Sequence, residues 1–184
     1  MWVSLFPVGS GRPDRPPGLY GAAFVDYQEG GVLAYRELLV ARLVRDGRVP
    51  RVRVTDIWVD SETSRAGGRS LWALPKEMAD LRLSERTQGP ATWASGDAGL
   101  GGVPLATARL TGVRSPAPRT PLRFSVSQRR EDGTSVLARV SGSARSLPCL
   151  GSWDFAADGP LGWLRGRRPL LSLRLDGLRM RFGD

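Results

Sequence analysis

From Leu171 onward, apolar and polar residues alternate one by one, Leu171, Leu173 and Leu175 against Ser172, Arg174 and Asp176. Period two marks a strand with two unlike faces, because successive side chains point to opposite sides of a sheet. After Gly177 the alternation resumes one residue out of phase, with Leu178, Met180 and Phe182 set against Arg179 and Arg181. A β-bulge produces such a slip, and bulges bend the strands that carry them. The chain is thereby constrained towards a curved sheet that closes on itself, a barrel-like form, rather than one that stays flat.

The remaining chain fits that reading. Short apolar stretches separated by Gly and Pro predict strands at Trp2–Val8, Leu19–Tyr27, Val32–Arg45 and Arg51–Asp60. Gly9–Gly18 is a predicted loop, with Gly9 to Gly11 read as a turn, Gln28 to Gly31 is a turn, and Asp46-Gly47 is a hairpin signal. Further strands are predicted near Leu81 and Thr92, and at Leu105–Val113, Leu122–Gln128 and Val136–Arg145. The main helix is predicted over Ser61–Trp72, with Ser61 as N-cap and Glu62 in the first turn, and Gly67-Gly68 is expected to end it early. The expected class is mainly β (α+β): a curved antiparallel sheet closing into a cone-like β-barrel, with one or two short helices. No internal repeat is visible, and Arg114 to Pro121 is the one weak candidate for a linker, so residues 1–184 are read as a single domain.

Composition removes several chemistries. The chain has no histidine, which rules out Ser-His-Asp and Cys-His nucleophiles, His-based zinc sites and an imidazole base. Cys149 is the only cysteine, so neither an intrachain disulfide nor a Cys-based metal site can form within one chain, and it reads as an inert thiol. No metal and no cofactor are expected. No apolar run approaches a membrane span and no signal peptide is recognised, so no membrane partner and a cytoplasmic location are expected. The net charge of +9 would suit a nucleic-acid partner. The arginines are dispersed rather than blocked, and recognition motifs are missing, so no nucleic-acid partner is expected.

One basic residue stands apart. Of the 27 Lys and Arg residues, Lys76 is the only lysine. Arginine cannot shed its proton in a protein, so Lys76 is the only side chain able to act as an amine nucleophile. It follows Pro75, with Trp72, Leu74 and Met78 as apolar neighbours. A lysine buried among apolar groups gives up its charge more readily, and the free amine can form a Schiff base with a ketone or aldehyde. If Val32 to Val44 is a strand, one face carries Leu33, Tyr35, Glu37, Leu39, Ala41 and Leu43. Glu37 is the only charge there, and such a carboxylate must be paired or protonated. The alternative is a helix from Glu37 to Arg45, which would leave Glu37 in solvent.

The run Asp60-x-Glu62, Ala66-x-Gly68-Arg69-x-Leu71-x-Ala73-x-Pro75-Lys76 resembles the signature of the acetoacetate decarboxylase superfamily, and Tyr35-x-Glu37 resembles that family's Tyr-x-Glu. The likeness continues more weakly through Trp153-Asp154-Phe155 and Gly159-Pro160-Leu161. It implies a cone-like barrel, usually in a homo-oligomer, with Lys76 as Schiff-base nucleophile in an apolar cavity and Glu37 as proton shuttle. The implied activity is a cofactor-independent lyase acting on a small oxo-acid or β-dicarbonyl, by decarboxylation or by aldol or dehydration chemistry, often in secondary metabolism. Arg69, Tyr35 and Trp72 are candidate substrate contacts. Arg51 and Arg53 are weaker ones, and Trp58 reads as core. The family's reference enzyme has a second lysine where this chain has Glu77, and a second glutamate near the position of Ala22. Its substrate-binding arginine would precede Met1, so a shortened N-terminus is expected. These departures support a second reading, a non-catalytic barrel that binds small molecules.

Overall fold

A computed structural model describes residues 1–9 and 14–183. Eleven strands and one α-helix follow in the order β1 (Trp2–Val8), β2 (Gly18–Tyr27), β3 (Tyr35–Asp46), β4 (Val49–Val59), α1 (Glu62–Trp72), β5 (Lys76–Met78), β6 (Asp80–Gln88), β7 (Ala91–Leu100), β8 (Val103–Val113), β9 (Thr120–Arg129), β10 (Ser135–Phe155) and β11 (Leu171–Phe182). A single 3-10 turn at Gly162–Leu164 precedes the last strand. Most of the loop expected at Gly9–Gly18, and the turn at Gly9 to Gly11, lie outside the described residues.

Seven strands close a ring: β11 pairs with β1, the order runs on through β2, β3, β4, β9 and β10, and β10 returns to β11. The mainly β, curved and closing sheet read from the sequence is therefore present. One refinement concerns strand direction. β4 meets β9 in parallel at Val52 and Val126, and β5 also lies parallel to β4, so the sheet is not wholly antiparallel. β10 extends ten residues beyond the predicted Arg145, because its two halves serve different partners. Its first half pairs with β9, while residues 149–155 pair with β8 and lead to β7 and β6. These three strands fold back over the outside of the ring as a second layer.

Alternation decides what each layer buries. On β1 and β2, Trp2, Phe6, Tyr20, Ala22 and Phe24 face the second layer and join Leu105, Leu110 and Phe155 in the main core. Trp58 packs there too, as expected for a core residue. The opposite residues, among them Leu5, Leu19, Gly21, Ala23 and Val25, face a cavity inside the ring. Arg15 clamps the incoming loop to β4 through two hydrogen bonds to the buried Asp56, at 2.7 and 2.9 Å.

The bulge predicted in the last strand is present. Ser143 pairs with Arg179 but Arg145 pairs with Asp176, which leaves one extra residue on β11. Gly177 sits at that step with φ +56, a left-handed conformation that glycine adopts without a Cβ penalty.

Helix α1 is the crossover that parallel strands require, joining β4 to β5. It starts as predicted: the Ser64 N–H donates to Ser61 Oγ at 3.3 Å, and Glu62 lies in the first turn. It does not end at Gly67-Gly68, as the sequence suggested, but continues to Trp72. Gly68 packs against the Lys76 stem, so its lack of a side chain serves that contact, and the glycine pair weakens the helix without ending it. The helix stops at Ala73, a non-glycine residue with φ 53. Left-handed conformation costs an L-residue roughly 1–2 kcal/mol, which glycine avoids. Ala73→Gly is therefore expected to stabilise the fold by roughly 0.5–1 kcal/mol after its greater unfolded-state entropy is counted, raising Tm by about 2 °C in a thermal melt.

Candidate active site

Pro75 sets the geometry that delivers Lys76. The Lys76 N–H donates to the Leu74 carbonyl at 2.8 Å, a tight turn around Pro75, whose ring holds φ near the value such a turn needs. The chain then enters β5 with Lys76 beside Ile57 of β4. Side chains alternate from there. Lys76 is buried and points into the ring, while Glu77 is exposed and binds Arg69 on the outside. Arg69 also donates from Nε to the Lys76 carbonyl at 2.7 Å. The carboxylate that follows the lysine is thus turned away from its amine.

Inside the ring, Lys76 Nζ donates to Ser64 Oγ at 2.9 Å, to Glu37 Oε2 at 3.2 Å and to the Tyr35 hydroxyl at 3.3 Å. It also lies 4.9 Å from the centre of the Tyr35 ring. The Tyr35 hydroxyl in turn reaches Glu37 Oε2 at 3.5 Å. Glu37 and Lys76 are only 3% and 4% exposed, so the pair is out of solvent. Glu37 stands on β3 with Leu39 and Ala41 on the same inward face, the face the strand reading assigned to it. Tyr27 stacks on Tyr35 at 4.5 Å and closes this end of the cluster.

Burial dominates the electrostatics. It pushes the Glu37 carboxyl above its ordinary range even against the opposing pull of Lys76. The Tyr35 and Tyr27 phenols are also pushed up, chiefly by burial, so both hold their protons at neutral pH. The Ser64 and Tyr35 hydroxyls can each donate or accept. The cluster can therefore carry the proton on either Lys76 or Glu37 without stranding a buried polar atom.

The raised Glu37 value has a consequence for stability. The folded state binds this proton more tightly than the unfolded chain does, whose value is near 4.5. The stability contributed by Glu37 is complete below that pH and is lost as pH rises through the folded value. Glu37→Gln cannot titrate, so it is expected to flatten this part of the decline in Tm between acid and neutral pH. A series of melts on both proteins across that range measures the difference.

Two further residues shape the site. Gly68 is buried on the helix face that meets Lys76, and a Cβ there would stand 2.7 Å from Lys76 Cδ and 2.8 Å from Cε. Ser64 lies one turn earlier on that face, since residues four apart stack along a helix. Neither was singled out as a functional residue from the sequence. The signal that could have found them is a pair of small residues at helical spacing just before an apolar Pro-Lys segment.

The other sequence candidates separate clearly. Trp72 borders the cavity and packs against Phe182 at 5.1 Å, and Leu74 lines the cavity too. Met78 is exposed and outside the lining, so it gives Lys76 no apolar wall. Arg69 is occupied by Glu77, Arg51 pairs with Asp46 at 3.1 Å, and Arg53 donates to the Ser127 carbonyl at 3.4 Å. None of the three arginines borders the cavity. Ala22 faces the interlayer core, whereas its neighbour Ala23 faces the lumen. Burial pushes the Cys149 thiol up to about 11, which suits an unreactive side chain.

The family described as acetoacetate decarboxylase (ADC) matches residues 12–168. The chain belongs to this family. Its structure is similar to that of an acetoacetate decarboxylase from Legionella pneumophila, at 15% identity and a TM-score of 0.59 over 98% of this chain and 83% of the other. It is similar to the enduracididine biosynthesis enzyme MppR complexed with pyruvate, at 18% identity and a TM-score of 0.62 over 97% and 86%. An acetoacetate decarboxylase-like enzyme from Sphingomonas wittichii RW1 matches at 14% identity and a TM-score of 0.58 over 100% and 91%. No curated protein matches the chain. At these identities the structural likeness speaks for the fold, and the chemistry must be argued from the residues. No helix among the described residues is long and apolar enough to cross a membrane.

Proposed function

We propose that this protein is a cofactor-independent carbon-carbon lyase in which Lys76 forms a Schiff base with an oxo-acid or β-dicarbonyl substrate. The observation that carries the reading is the placement of Lys76 Nζ within 3.3 Å of Glu37, Tyr35 and Ser64 at the edge of an apolar cavity. Membership of the acetoacetate decarboxylase family and the likeness to MppR support it.

The steps follow from those contacts. The Lys76 proton passes to Glu37 Oε2, whose affinity for it is raised by burial. The free Nζ attacks the substrate carbonyl carbon, and the carbinolamine hydroxyl takes the proton back from Glu37 and leaves as water, giving an iminium and the Glu37 carboxylate. With a β-oxo acid, the bond to the carboxylate breaks, CO2 departs and its electron pair enters an enamine. Glu37, reprotonated from solvent, delivers that proton to carbon, and water hydrolyses the imine to release product and Lys76. With a 2-oxo acid, Glu37 instead removes the proton next to the iminium, and the enamine attacks a second carbonyl. Ser64 and Tyr35 hold Nζ and stabilise the alkoxide that precedes loss of water.

A cytoplasmic setting, a homo-oligomer and a place in secondary metabolism belong to the same proposal and rest on the family resemblance. The second reading, a binding barrel without catalysis, loses one of its supports because Glu77 faces away from the amine. The test is reductive trapping. The protein is incubated with acetoacetate, pyruvate or larger oxo-acids plus borohydride, and its intact mass and peptide map are measured. An adduct on Lys76 is expected. A folded protein that gives no Lys76 adduct with any of them would overturn the proposal.

A further inference from the structure

The lumen is much larger than the reactive group needs. Together with the openings continuous with it, which reach Leu83, Glu85 and Thr87 of β6, it amounts to about 1740 Å³. An oxo-acid of about seven non-hydrogen atoms occupies roughly 200 Å³ at most, even allowing each atom the ~30 Å³ share of a water molecule. Lys76, Glu37, Tyr35 and Ser64 gather at the end where β3 begins and α1 crosses. From Glu37 the inward face of β3 continues through Leu39 and Ala41 to Leu43, on the order of 20 Å at the rise of a strand.

The walls along that path are mostly apolar, with Arg42 beside the far end. Leu19 and Gly21 line it from β2, Val52 and Val54 from β4, and Leu122 and Phe124 from β9. Ala41 is the cross-strand partner of Gly21, so the two side chains that would otherwise fill the bore are among the smallest available. Charged residues also border the cavity. Glu85, Arg174 and Asp176 are engaged with one another, Arg174 reaching Glu85 at 2.5 Å and Asp176 at 3.1 Å. Arg42, near the far end of β3, donates to the Pro17 carbonyl at 2.6 Å, and Arg179 and Arg181 lie on β11. A long, mostly apolar wall with the reactive polar cluster at one end fits a ligand of matching polarity.

We infer that the substrate carries an extended hydrocarbon body on its carbonyl group, with the carbonyl carbon at Lys76 Nζ and the chain running along β3 towards Leu43. This rests on Lys76 being the imine-forming residue, and it replaces the small oxo-acid expected from the sequence with a much larger member of the carbonyl class. Each buried methylene strengthens binding about three- to fourfold, so chain length must register strongly.

The test uses butanal, octanal and dodecanal at equal, sub-saturating concentrations with cyanoborohydride. Nζ bonds to the aldehyde carbon, water leaves, and hydride from the reagent reduces the imine to a stable amine whose rate of formation on Lys76 is followed by peptide mapping. Capture is expected to rise at least tenfold from butanal to octanal and not to fall with dodecanal. Ala41→Phe, in mid-bore, is expected to lower the ratio of dodecanal to butanal capture at least tenfold. Leu43→Trp, at a half-exposed position that tolerates added bulk, is expected to lower the same ratio and covers the case in which Ala41→Phe fails to fold. Capture that is flat or falls with chain length would overturn the inference and leave the Schiff-base proposal standing. Absence of Lys76 adducts with all three aldehydes in folded protein would overturn both.

Discussion

Lys76→Arg is expected to abolish imine trapping and to lower turnover roughly ten-thousandfold or more, the scale seen when a covalent nucleophile is removed. The substitution keeps a cation opposite Glu37. It therefore avoids stranding a buried carboxylate without its partner, an error that costs about 3–5 kcal/mol. What it removes is the ability to become a neutral amine, since a guanidinium stays protonated in proteins. Covalent trapping, measured beside affinity, distinguishes the two functional readings. A binding barrel would need only the charge and hydrogen bonds at this position, so Lys76→Arg would bind ligand nearly as the parent does. A Schiff-base enzyme loses the covalent step whatever happens to affinity. The measurement is borohydride trapping alongside equilibrium binding of the same oxo-acid. Trapping that persisted at another residue in the variant would show that Lys76 is not the nucleophile.

The parts of this protein that could be read from its sequence are those encoded by short-range periodicity. The inward face from Leu33 to Leu43 obeys period two, and Glu37 interrupts it as the one charge. The slip at Gly177 and the cap at Ser61 are equally local, and both stand where expected. What escaped was decided over long range. The ring closes through a parallel bridge between Val52 and Val126, more than seventy residues apart, and nothing in either strand's pattern names the other. β5 is three residues long, too short for any period to show. Ser64 carries no signal of its own, because a lone serine in a helix is unremarkable until the chain folds Lys76 back against it. The direction of Glu77 was available in principle. Once Lys76 is placed inside an extended segment, its neighbour must point out.

Gly67-Gly68 misled for a related reason, and Gly68 yields the sharpest prediction after the lysine. Helix propensity alone favours Gly68→Ala by about 1 kcal/mol, and on that ground the variant should be more stable. The structure opposes this. The added methyl would stand 2.7 Å from Lys76 Cδ and 2.8 Å from Cε, about 1 Å inside ordinary carbon contact. Since Gly68 is on the helix backbone, the lysine stem is the part that yields. Overpacking of this kind costs about 1–3 kcal/mol, so the helix gain and the clash nearly cancel in stability. They do not cancel in chemistry. Moving Nζ by about 1 Å relative to Glu37 and Ser64 is expected to slow turnover and trapping on the order of a hundredfold. Gly68→Ala should thus melt within a few degrees of the parent while losing most of its activity. A variant that melts normally and traps substrate at the parent rate would show that the notch at Gly68 does not set the position of the amine.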